Sequence, residues 1–144
     1  MQGSLIGRFF HSVDEKGRLA VPAKLRVELG EPFYITRLNQ NCLSAFSEEE
    51  WDKFAAKLNA IPQSDAKAQC YVRMIFSGAS KCEPDKQGRI LIPQQLRDEA
   101  GIDKEVVMIG ASNRAEIWSK EKWDAYMLEV AGSDAIAGLA EYAV

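Results

Sequence analysis

Asp14-Glu15-Lys16-Gly17-Arg18-Leu19-Ala20-Val21-Pro22-Ala23-Lys24-Leu25-Arg26 returns 71 residues later as Asp85-Lys86-Gln87-Gly88-Arg89-Ile90-Leu91-Ile92-Pro93-Gln94-Gln95-Leu96-Arg97, and this recurrence decides how the chain folds. Six of the 13 positions are identical and the apolar positions between them stay mostly apolar, so both copies keep one backbone shape. The chain is a tandem duplication. An Asp at the first and a Gly at the fourth position suit a tight turn, the carboxylate accepting nearby N–H groups and the Gly tolerating positive φ. Such a turn closes a hairpin. Arg18 to Val21 is short, mostly apolar and followed by Pro22, which disfavours the helical region for Val21, so these residues read as a strand. Pro22 then starts a helix, with Leu25 and Leu29 on one face and Gly30 placed to end it. The second copy repeats this with Pro93, Leu96, Ala100 and Gly101.

Outward from the motif the duplication continues. Phe46-Ser47 followed by Trp51-Asp52 is answered by Trp118-Ser119 followed by Trp123-Asp124, so each half ends in a Ser-capped amphipathic helix, about 48–59 and 119–130. Ser47 with Glu50 spells a capping box. Leu5 to Val13 reads as the strand entering the first turn, and Ser80 to Pro84 leads into the second. Phe33–Leu38 with Cys42–Phe46, around Asn39-Gln40-Asn41, forms a later hairpin, matched by Val106–Ile109 with Ala115–Trp118. Between the halves, Ala66 to Phe76 favours a helix with Cys70, Met74 and Ala66 along one side. The expected division is a first half-repeat with its helix over 1–62, a connecting helix within 63–79, a second half-repeat over 80–131 and a loose tail over 132–144.

With 144 residues, 47% of them hydrophobic, the chain can bury a core as one compact domain or two small, intimately paired ones. No apolar run approaches the roughly 20 residues of a membrane helix, and the N-terminus lacks a signal-peptide layout. A cytoplasmic protein without membrane contact is expected. Cys42, Cys70 and Cys82 are odd in number and lack Cys-x-x-Cys spacing, which favours buried thiols over disulfides or zinc ligands. His11 is the only His and Cys82 stands at its equivalent, so neither a two-His metal site nor a His-centred catalytic set is available. The sequence offers no catalytic residue, cofactor or small-molecule site. The net charge is −3, yet residues 1–37 sum to +2 and 63–97 to +3, while 38–62, 98–118 and 119–144 sum to −2, −3 and −3. The motif-bearing segments are the basic ones, and local positive charge is what attracts phosphate.

The paired motifs Asp-x-Lys-Gly-Arg-Leu-x-Val-Pro and Asp-Lys-Gln-Gly-Arg-Ile-Leu-Ile-Pro, each followed by Leu-Arg, together with Glu116-Ile117-Trp118 and a closing Trp123, resemble the MraZ family over about residues 5–130. The resemblance implies an α+β fold of two β-β-α-β swapped hairpins, of the class seen in AbrB and SpoVT, paired into a small barrel with flanking helices. It also implies a homo-oligomer, in ring form, that associates with the nucleoid and binds double-stranded DNA at repeated short boxes upstream of its own division and cell wall operon. The family's Asp-x-x-x-Arg residues fall on Asp14 and Arg18 and on Asp85 and Arg89; Gln87 in the second copy replaces the Lys16 of the first.

The chemistry of the motif points the same way. Arg18 and Arg89 offer planar forks to a guanine edge or a phosphate, Lys16 and Lys86 offer point charges, and Gly17 permits close backbone approach. Asp14 and Asp85 fix the turns or hold the arginines. Arg26 and Arg97, on the short helices, touch phosphate or remain solvated. Trp51, Trp118 and Trp123 read as packing residues. A competing reading from another class is a ring-forming scaffold whose Asp–Arg motifs bind protein partners instead of DNA.

Overall fold

A computed structural model describes residues 4–38, 41–134 and 136–142. The strands are β1 (Arg8–Ser12), β2 (Arg18–Ala20), β3 (Phe33–Thr36), β4 (Cys42–Ser47), β5 (Ser80–Cys82), β6 (Arg89–Leu91), β7 (Glu105–Gly110) and β8 (Ala115–Ser119). The helices are α1 (Ala23–Leu29), α2 (Glu48–Asn59), α3 (Ala66–Gly78), α4 (Gln94–Ala100) and α5 (Lys120–Ala131). The expected β-β-α-β order recurs in both halves, but the leading strands are exchanged. β1 of the first half pairs with β7 of the second, and β5 of the second pairs with β3 of the first. The sheet order is therefore β1-β7-β8-β4-β3-β5, with β2 and β6 forming a separate antiparallel ribbon. Each turn closes its local hairpin only at its base, where Val13 bridges Leu19 in the first copy. Beyond that point the strands leave for the other half, which makes the fold a swapped-hairpin α+β structure.

The registers reveal a pseudo-two-fold relation. Leu19 faces Ile90, its own repeat equivalent, in the ribbon, and Ser44 faces Glu116 at the centre of the sheet. Alternation along the strands then sorts the core. One sheet face carries Phe33, Ile35, Leu43, Ala45, Val106, Met108, Ala115 and Ile117, and these pack with Leu19 and Ile90 of the ribbon and with Leu25, Leu29 and Leu96 of α1 and α4. Sheet and ribbon enclose this core as a small barrel does. The opposite sheet face receives α2, α3 and α5. Tyr34 stacks on Trp51 with ring centroids 5.2 Å apart, and Val107 and Cys42 meet Trp118 and Trp123.

Pro22 and Pro93 serve as N-caps, one residue before the first helical residue, and the Pro22 carbonyl accepts from the Leu25 and Arg26 N–H groups. Ser47 and Ser119 cap α2 and α5 by accepting from the N–H of Glu50 and Lys122. The expected capping box at Ser47 shows its forward bond, while the Glu50 carboxylate pairs with Lys53. The connecting helix buries Ile75, not Cys70 or Met74, because the Ile75 carbonyl accepts from the buried hydroxyl of Thr36 and thereby sets the helix's rotation. Cys70 is consequently exposed, against the expectation for the thiols, whereas Cys42 and Cys82 are buried. Burial among apolar groups pushes the Cys82 thiol up to about 12. Ile136–Tyr142 of the expected loose tail forms a 3-10 helix. Asn39 and Gln40, expected at the centre of the hairpin between β3 and β4, lie outside the described residues.

Candidate functional site

Both turns are built by their own aspartate. Asp14 donates its N–H to the Arg18 carbonyl (2.9 Å) and accepts from the Gly17 N–H (3.0 Å) at its own carbonyl. Its carboxylate is shared out. Oδ1 accepts from the N–H of Lys16 and of Arg18, both at 2.9 Å, and Oδ2 accepts from Nε of Arg18 at 2.8 Å. The second turn has the same set: Asp85 Oδ1 accepts from the Gln87 and Arg89 N–H groups at 2.9 Å, and Oδ2 from Arg89 Nε at 2.9 Å. The Arg N–H is the main cause that holds each carboxyl below its ordinary value of 3.8, partly opposed by desolvation and reinforced by the Arg side chain. Each arginine is thus fixed through Nε. Among the described residues its hydrogen bonds end there, so both terminal amino groups of the guanidinium remain to be offered.

The ribbon brings the two arginines together. Arg18 faces Leu91 and Ala20 faces Arg89, and these four residues share one face because directly paired residues of antiparallel strands point the same way. Arg18 and Arg89 are diagonal neighbours on it, a spacing of about 7–8 Å between Cα atoms. Their turns lie at opposite ends of the ribbon. Lys16 and Lys86 are exposed on the turns, so each motif contributes one ammonium and one guanidinium. The ribbon covers the inner face of the sheet, whereas the acidic first turn of α2, Glu48 to Glu50, lies on the outer side.

Gly17 and Gly88 are buried, with φ of +86° and +77°. A Cβ at Gly17 would meet Arg97 Cζ at 2.8 Å, and one at Gly88 would meet Arg26 Cζ at 2.7 Å. Glycine is needed there by the left-handed backbone, and the guanidinium of the opposite half-repeat's arginine fills the space beside it, a contact local sequence does not reveal. Of the two positions expected for Arg26 and Arg97, the solvated one is not met: both are half-buried and lie across turns in the other repeat. Leu91 is the other residue not singled out by sequence. It is 60% exposed beside Arg18, and period-2 alternation from Arg89 gives the signal that would have placed it on the arginine face.

Apart from the turns, His11 is a half-buried residue of β1, and among the described residues no three His, Cys, Asp or Glu side chains are grouped to hold a metal ion. The Glu116 carboxylate is buried and accepts from Trp118 Nε1 and Arg114 Nε, both at 3.1 Å, which is a structural use. Among the described residues no helix is long and apolar enough to cross a membrane.

Residues 5–74 and 75–141 each match the family described as "MraZ protein, putative antitoxin-like". The chain is 48% identical over 128 residues to the transcriptional regulator MraZ of Desulforamulus reducens, covering 89% of this chain and 90% of that one. It is 51% identical over 120 residues to the protein of the same name from Acetivibrio thermocellus, covering 83% and 84%. For that of Moorella thermoacetica the identity is 46% over 136 residues and 94% of each chain.

Proposed function

From the premise that the chain belongs to the MraZ family across both repeats, we propose that it is a transcriptional regulator that binds double-stranded DNA sequence-specifically through the turns 14–18 and 85–89. The observation that carries the proposal is the β2–β6 ribbon face, where Arg18 and Arg89 stand as diagonal neighbours, partly exposed, with Nε clamped and their terminal amino groups not engaged by the described residues. A two-stranded ribbon fits the major groove, and a guanidinium held through Nε loses little conformational freedom when it meets a guanine edge or a phosphate. Lys16 and Lys86 supply phosphate contacts that set position along the duplex. Gly17 and Gly88 act through backbone shape, and Asp14 and Asp85 keep the arginines aimed. Leu91 adds an apolar surface suited to a thymine methyl group.

The sites bound are short direct-repeat boxes upstream of the protein's own division and cell wall operon, and the protein binds them as a homo-oligomer, in ring form, in the nucleoid. It performs no catalysis. Direct repeats follow from head-to-tail assembly, because a rotation places successive ribbons in the same orientation along DNA, whereas a palindrome requires a two-fold axis between readers. A mobility-shift titration with DNA from upstream of the gene tests the proposal. A retarded complex that survives an excess of unrelated duplex is expected. Identical retardation of related and unrelated DNA would remove sequence specificity, and no complex at low salt would favour the scaffold reading.

A further inference from the structure

Each half-repeat's DNA-facing turn is held from behind by the arginine of the other half-repeat. Ile92 is the link in one direction: its N–H donates to the Gly17 carbonyl at 2.9 Å, and its own carbonyl accepts from Arg97 Nε at 2.9 Å. Val21 is the link in the other, donating to the Gly88 carbonyl at 3.0 Å and accepting from Arg26 Nε at 3.2 Å. The guanidinium of each helix arginine then lies directly over the turn glycine, closer than any Cβ would allow. Arg18 and Arg89 by contrast bond only within their own turns.

We propose that Arg97 and Arg26 are positioning residues that act crosswise, Arg97 fixing the turn 14–18 and Arg26 fixing the turn 85–89, so that neither turn is set by its own half alone. The proposal rests on the DNA-binding reading for its consequence but not for its geometry. A guanidinium whose Nε is spent on a main-chain carbonyl and whose plane covers a buried glycine blocks the turn from collapsing into the space behind it. Removing it frees the Gly17 or Gly88 peptide while leaving the Asp clamp in place. The turns then become a coupled pair, each sensitive to a substitution in the opposite repeat.

Amide hydrogen exchange on the free protein reads this without DNA. Arg97→Ala should accelerate exchange of the Gly17 and Ile92 N–H groups by about fivefold or more, the effect of loosening one hydrogen bond, and leave Gly88 and Val21 unchanged. Arg26→Ala should do the reverse. Arg97→Lys should behave like the alanine variant, since an ammonium lacks both the Nε donor and the plane. In anisotropy titrations with upstream DNA, Arg97→Ala should weaken binding without altering the salt slope. That loss should vanish in an Arg18→Ala background and persist in an Arg89→Ala background. Exchange changes confined to the variant's own repeat, restoration by Lys, or a salt slope reduced by one charge, the mark of a phosphate ligand, would each overturn the crosswise role. If the wild-type protein binds no DNA, the exchange arm still decides the brace, while the DNA-binding proposal falls separately.

Discussion

At the scale of the residue, the two aspartates carry the local energetics of the turns. Both are exposed, both accept two main-chain N–H groups and one guanidinium N–H, and both are held below the ordinary 3.8. A carboxyl whose pKa is depressed by folding contributes stability that is complete above its unfolded value and disappears as pH falls through the folded one. Wild-type stability should therefore drop between about pH 6 and about pH 2.5 by more than that of an Asp14→Asn, Asp85→Asn variant. Urea denaturation at both pH values checks this, and equal drops would mean that the clamps contribute nothing to the folded state. The clamp was legible in sequence because all its partners lie within four residues of the aspartate. Arg26 and Arg97 were not, because what they touch lies in the other repeat, where no local pattern records it. The exchange of Lys16 for Gln87 sets the first turn apart in sequence. Yet Lys86 stands one place earlier in the second turn, and Glu15 offsets Lys16 in the first. With matching clamp geometry, equal contributions from Arg18 and Arg89 are expected.

Among the elements, alternation placed the strands and apolar spacing placed the helices, but neither says which strand pairs with which. The period of two in Arg18–Val21 assigns faces; its pairing with β6 follows from burying Leu19 against Ile90 at the pseudo-two-fold. Helix α3 shows the same limit. Its apolar residues are spread around it, and the hydrogen bond from Thr36 to the Ile75 carbonyl decides which of them faces inward. Phe76 then meets Trp51 edge-on at 6.0 Å. Ile75→Ala should cost about 2–5 kcal/mol, the range for a buried aliphatic truncated to a cavity. Cys70→Ser, on the exposed side, should stay within about 0.5 kcal/mol of wild type. Chemical denaturation of both variants tests the assignment, and similar costs at the two positions would place the helix in another rotation.

The molecule as a whole is two interleaved repeats, since β1 completes the second half's sheet and β5 the first's. Family resemblance supplied this exchange; the residues alone indicated only two local hairpins. Exposed apolar side chains such as Phe10 and Leu128 lie on the surface available for assembly. Light scattering on purified protein should return a mass several times 16.0 kDa without DNA. A monomeric mass at micromolar concentration would rule out the ring. Head-to-tail order also predicts that shifting one operator box by about half a helical turn of 10–10.5 bp weakens binding.

The reading of the ribbon as the DNA-contacting face is tested most directly by fluorescence anisotropy at fixed salt with a labelled duplex from upstream of the gene. Wild type, Arg18→Ala, Arg89→Ala and the double variant should be compared after circular dichroism establishes that each is folded. Each single substitution should weaken specific binding by about 1–3 kcal/mol, the value of one bidentate arginine contact, and the double variant should bind no more tightly than it binds unrelated DNA. A folded double variant with wild-type affinity would contradict the account.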